Sequence, residues 1–204
     1  MTDLHKALSE ISEIRGQIAR GAEFRGYGPA TLTVTGILAL LAAAAQAHWL
    51  KNPERDIAAY LAIWIATAAV SVIIIGVETI TRARRVYSGF ARQMVNSAAE
   101  QFLPAIVAGL LLTVVVLRYS PQYQSAIPAL WQIVFSLGVF ASCRFLPRAM
   151  FAVGVWYLAA GLVCLALDEP QALSPWSMGV PFGIGQLLVA AVLQLNYRQT
   201  DEPA

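Results

Sequence analysis

Six stretches of this chain contain no Asp, Glu, Lys or Arg: residues 26–50, 57–77, 101–117, 119–143, 149–167 and 170–197. A helix needs about 17–25 mainly apolar residues to cross a hydrocarbon core, and each stretch is close to that length. The spacing therefore predicts an all-α, polytopic integral membrane protein, a bundle of six transmembrane helices near residues 30–50, 57–79, 101–118, 126–144, 149–167 and 178–197. The transmembrane domain is expected over 29–197, with a cytoplasmic amphipathic helix and turn at 1–28, a helical cytoplasmic loop at 81–102 and a cytoplasmic tail at 198–204. Composition agrees: 58% of the 204 residues are hydrophobic and 13% are charged, outside the range of ordinary soluble domains.

The basic residues orient the bundle. With the N-terminus inside, the inner segments hold Lys6, Arg15, Arg20, Arg25, Arg82, Arg84, Arg85, Arg92, Arg144, Arg148 and Arg198, against Lys51, Arg55 and Arg118 outside. This satisfies the positive-inside bias and predicts both termini on the cytoplasmic face of an inner membrane. Aromatic belts give the same topology, with Trp49, Tyr60, Tyr119, Tyr123, Trp131 and Trp176 at the outer boundary and Tyr27, Tyr87 and Tyr197 at the inner one. The basic run Arg82, Arg84, Arg85 follows a span, where it serves as a topological anchor beside anionic headgroups, so no nucleic-acid partner is expected. The first span follows a leader that contains Asp3, Glu10, Glu13 and Glu23, unlike the short basic leader of a signal peptide, and is expected to be retained.

Residues 3–24 read as an amphipathic helix whose seam of apolar or small residues, Leu4, Ala7, Ile11, Ile14, Ile18 and Gly21, recurs at alternating spacings of three and four. Its polar face mixes acids and bases, unlike the Lys- and Arg-rich faces that lie on anionic lipid, so the seam predicts helix contact with another copy, a membrane-protein partner or the chain's own loop. The 81–102 segment has helical periodicity of its own in Val86, Phe90, Met94, Ala98 and Phe102. Pro29, Pro104, Pro128 and Pro181 are each expected to open a span, where a missing N–H costs nothing. Pro104, Ala105, Ile106 can be laid over Pro181, Phe182, Gly183 as halves of an inverted repeat, a match that low-complexity apolar helices also produce by chance.

Ionisable groups at membrane depth mark proton relays and coupled transport. Here the deepest are Glu78, Glu100, Arg144 and Arg148, within a turn or two of the inner boundary, where they form a candidate ion-pair ring that latches three spans or lines a vestibule. Ser and Thr in the spans can bond back to their own helix, but a glutamine amide in hydrocarbon needs a partner. Gln46, Gln132 and Gln186 are placed at similar outer depths and form a candidate polar pocket with Trp131 at its mouth; the alternative is interhelical bonding that fixes helix contact. Small residues at Gly179 and Gly183, and at Ala62, Ala66, Thr67 and Ser71, favour close helix approach.

Catalytic readings fare badly. No histidine follows His48, no acidic pair lies at depth, and no phosphate-binding loop occurs. Cys143 and Cys164 are set at different depths, and no metal-ligand spacing or cofactor motif is present, so no disulfide, metal or cofactor is expected. Two classes remain. One is a structural or regulatory membrane protein that assembles through its seam, which the absence of buried charge favours. The other is a small carrier, channel or solute-binding subunit for a neutral or lipophilic small molecule.

Overall fold

The computed structural model of the chain describes residues 28–50, 52–85, 89–143 and 149–201, and every regular element among them is helical. The helices are α1 (Pro29–Trp49), α2 (Ile57–Arg85), α3 (Gly89–Tyr119), α4 (Ile127–Ser142), α5 (Met150–Leu165) and α6 (Pro175–Asp201). A 3₁₀ segment, Pro121–Ala126, leads into α4, and a short helical turn, Glu169–Ala172, precedes α6. The protein is thus an all-α polytopic membrane protein. Among the described residues, five segments are long and apolar enough to cross a bilayer: Pro29–Trp49, Ile57–Thr81, Glu100–Tyr119, Pro121–Ser142 and Pro175–Leu195.

The fifth expected span is shorter than anticipated. α5 has 16 residues, which at 1.5 Å per residue cover about 24 Å. The chain turns back beyond Leu165, and Ala172 and Leu173 lie buried against neighbouring helices instead of in solvent.

Within the segment expected to be helical at 81–102, α2 continues to Arg85, and α3 begins at Gly89 and runs without a break past residue 102, so the described residues there are extensions of the neighbouring spans. Two prolines expected to open spans are consequently interior: Pro104 in α3 and Pro181 in α6. Pro29 and Pro128 do stand in the first turns of α1 and α4, where no intrahelical N–H bond is lost.

Neighbouring helices run antiparallel in the order α2, α1, α6, α5, α4, α3. The bundle has a loop end, formed by residues 50, 52–56, 120–126 and 166–174, and a terminal end where α1 begins and α6 finishes. Glycines set the closest approaches. A methyl group on Gly183 of α6 would stand 2.8 Å from Leu40 of α1, and one on Gly36 would stand 3.0 Å from the Gly183 carbonyl. Gly179 faces Ala43 one turn nearer the loop end. Likewise Gly138 of α4 receives Phe102 and Ala105 of α3, and Gly161 of α5 meets Ile133 and the Ala129 carbonyl of α4. In a bilayer, where lipid tails are as apolar as leucine, such close fit replaces hydrophobic burial as the main source of helix association.

α2 and α3 are peripheral. Val70, Val72, Ile73 and Val77 of α2 and Leu103, Ile106, Leu110 and Leu111 of α3 are exposed. A surface of this kind is untenable for a monomer in water but suits contact with lipid.

Candidate functional site

The loop end is built around buried Ala39 and Ala43 of α1, Tyr60, Leu61 and Trp64 of α2, Ile127 of α4, and Leu173 and Met178 at the entry to α6. Polar side chains are buried at the same end of the bundle. Gln46, Tyr60 and Gln132 are fully buried, and Trp64 nearly so. Both amide atoms of Gln46, the Tyr60 hydroxyl, the Trp64 indole nitrogen and Oε1 of Gln132 have no hydrogen-bond partner in the structure. Gln46 follows Ala43 by three residues and precedes Leu50 by four, so it stands on the α1 face that enters this cluster. The Trp64 indole N–H and the Tyr60 hydroxyl, one turn apart on α2, stand side by side.

Gln132 has a role that follows from Pro181. A proline inside a helix cannot donate to the carbonyl four residues earlier, which here is that of Ser177. Gln132 Nε2 donates to this freed oxygen at 2.9 Å and to the Pro128 carbonyl of its own helix at 3.3 Å. Both amide hydrogens of Gln132 are therefore committed to structure, and its carbonyl oxygen is what remains. Trp156 makes the matching contact one turn further along, its indole N–H donating to the Pro181 carbonyl at 2.9 Å. The interior proline is held from two sides, by α4 and by α5.

Of the three glutamines placed together by their expected depth, Gln46 and Gln132 share the loop-end level: Gln132 touches Met178, and Met178 packs in one cluster with Ala43. Gln186 lies further along α6, half-buried, with its Cβ 3.2 Å from where a methyl on Gly36 would stand. It belongs to the α1–α6 seam. Trp131, expected at the pocket mouth, packs on the loop-end core and donates to Thr113 Oγ1 of α3 at 2.7 Å.

The remaining candidates divide by region. Glu78 is half-buried on α2 and Glu100 exposed on α3, while Arg144 and Arg148 lie outside the described residues, as does the whole seam of Leu4, Ile11, Ile14 and Ile18. Thr33, Thr67, Ser71, Thr113 and Ser136 each bond a carbonyl of their own helix. Ala62 and Ala66 are exposed.

Sequence reasoning assigned Tyr60 to an aromatic belt and passed over Trp64. Their spacing of four places phenol and indole on one face of α2, a signal available from the sequence. Tyr157 of α5 sits among Phe135 and Phe182, with ring centroids 4.6 and 5.2 Å away. Its hydroxyl is a further buried group without a partner, held against the backbone at Gly185.

An uncharged site of this kind can donate and accept hydrogen bonds but holds no buried carboxylate, imidazole or cation among the described residues. No group of three or more potential metal-ligating His, Cys, Asp or Glu side chains occurs among those residues. No protein-family model, curated protein or solved structure matches the chain, so the geometry itself is what bears on its role.

Proposed function

We propose that the protein binds or carries a small uncharged solute in the loop-end half of its membrane bundle. The observation that carries this reading is Gln46, a fully buried amide whose donor and acceptor are both unused. Leaving such groups unpaired costs about 1–3 kcal/mol each, and the neighbouring Tyr60, Trp64 and Gln132 oxygen add to that cost. A polar occupant of the site offsets it. The site would face outward from an inner membrane with both termini cytoplasmic, the orientation that the basic residues favour.

Native mass spectrometry of the intact protein released from mild detergent tests the reading. The expected result is a reproducible non-lipid adduct, one per subunit, that is lost in Gln46→Leu. Adduct-free subunits, or an adduct indifferent to that substitution, would remove it.

A second reading is assembly with another copy or a membrane partner. Exposed Ala62 and Ala66 on lipid-facing α2 favour it, since small residues mediate the close helix contacts elsewhere in this chain. The same spectra report copy number. A discrete oligomer dispersed by Ile11→Asp or Ile14→Asp supports the seam, and an oligomer unaffected by both excludes it.

A further inference from the structure

We propose that the loop-end site takes a small neutral molecule with an amide-type edge, a hydrogen-bond donor and acceptor side by side, which pairs with the Gln46 carboxamide. The inference rests on the solute-binding reading and specifies the chemistry of its ligand. A carboxamide presents an oxygen acceptor and an NH₂ donor in one plane. One molecule satisfies both together when it offers the complementary pair, the bidentate geometry through which glutamine reads a nucleobase edge. A hydroxyl-only ligand reaches one side of the amide through each oxygen, with no fixed plane.

The other open groups sharpen the choice. Trp64 can only donate through its indole nitrogen. Gln132 can only accept, because its two amide hydrogens are bound by the Ser177 and Pro128 carbonyls. Tyr60 can do either. Gln46 thus stands among flanking groups of both polarities, which suits a ligand with further carbonyl and N–H groups, as in ureas and lactam rings. Tyr60, Trp64, Ile127, Leu173 and Met178 pack together and are buried at this end of the bundle, which restricts an occupant to a compact molecule. Ions are disfavoured, since a desolvated charge with no buried countercharge carries a penalty that these neutral dipoles do not repay.

The experiment measures binding to the full-length protein in lipid nanodiscs by calorimetry, using acetamide, urea and uracil as amide-edged probes, glycerol and ethylene glycol as hydroxyl probes, and acetate and ammonium as charged ones. At least one amide-edged probe is expected to bind, with affinity lowered roughly tenfold or more by Gln46→Leu, equivalent to about 1.4 kcal/mol. Trp64→Phe keeps the ring and removes the N–H, and is expected to weaken the same probe severalfold with unchanged thermal unfolding of the empty protein. Gln46→Met supplies a second variant of similar shape should the leucine fail to fold. Absence of binding by all amide-edged probes, or binding indifferent to Gln46 substitution, overturns the proposal. Gln46-dependent binding of a hydroxyl probe alone overturns the amide edge while leaving the solute-binding reading intact; loss of the native adduct reading as well would remove both.

Discussion

The two ends of the bundle solve the same problem differently. At the terminal end, Leu32, Ala190 and Leu193 form one apolar cluster, and Val139, Met150, Val153 and Tyr157 another, with Tyr157 supplying the polar atom left over. At the loop end, a core of similar residue types encloses Gln46, Tyr60, Trp64 and Gln132, each with an unmet hydrogen-bonding atom. Tight helix approach exists at both ends, so fit alone does not require the polar groups. What differs is that the loop end places amides where leucines would pack. A protein selected for packing alone gains nothing from that choice, because a buried amide contributes to stability only when its partners are present.

The strongest way to break this comparison is to disturb the seam that both ends share. Gly179→Leu would drive a side chain into Ala43 and the α1 backbone near Ala39. Overpacking costs typically about 1–3 kcal/mol, and more when backbone must move, so little folded protein is expected. Gly76 of α2 has nothing within 4 Å of an added Cβ. Gly76→Leu is expected to leave thermal unfolding in detergent unchanged or slightly improved, given leucine's advantage of up to ~1 kcal/mol over glycine in a helix. Equal losses in the two variants would show that leucine harms this bundle at any glycine, and that the contact of Gly179 with Ala43 is not what sets its cost.

The two loop-end glutamines are expected to respond with opposite signs. Gln132→Leu strands the Ser177 carbonyl beneath Pro181 and should destabilise by about 1–3 kcal/mol. Pro181→Ala restores a helical N–H to that carbonyl, so the loss from Gln132→Leu should shrink in its presence, a coupling that a double-mutant cycle of unfolding midpoints reads directly. Gln46→Leu removes an amide that has no protein partner, and should leave the ligand-free protein as stable or more stable by up to ~1 kcal/mol. If both substitutions destabilise alike, Gln46 is structural and the contrast between committed and open amides fails.

The contrast also locates what the sequence could reveal. Charge-free runs announced helices of membrane length because hydrocarbon excludes unpaired charge wherever the helix sits. α5 escaped that argument: the uncharged run reaches residue 167, but Ala172 and Leu173 fold back, a decision made by contact with other helices. Prolines mark tolerated positions, not helix starts, and Pro181 is tolerated inside α6 because Gln132, 49 positions earlier in the chain, reaches its freed carbonyl. Gln46 and Gln132 were legible as costly residues. That one is open and the other largely committed depended on tertiary neighbours, as did the separation of Gln186 from both. Trp64 was legible only through its spacing of four from Tyr60, since an indole about two turns inside a span otherwise reads as ordinary apolar content; that both are buried depended on tertiary neighbours.

The smallest effect tests whether hydroxyls join helices at all in this protein. Thr113 Oγ1 donates to Gly109 O at 2.8 Å and accepts the Trp131 indole N–H at 2.7 Å, linking α3 to α4. Thr67 donates to Ile63 O at 2.8 Å, a bond within α2. Thr113→Val and Thr67→Val both exchange a hydroxyl for a methyl and both lose the bond back to their own helix. The difference between them therefore isolates the interhelical bond. Such bonds average about 0.6 kcal/mol in membrane bundles and reach roughly 1.7, so Thr113→Val should unfold at modestly lower denaturant than Thr67→Val in the same micelles. Indistinguishable midpoints would mean that Trp131, half-buried near the loop end, finds water when Thr113 is gone. The hydrogen-bonding burden of that end would then fall on the fully buried amides alone.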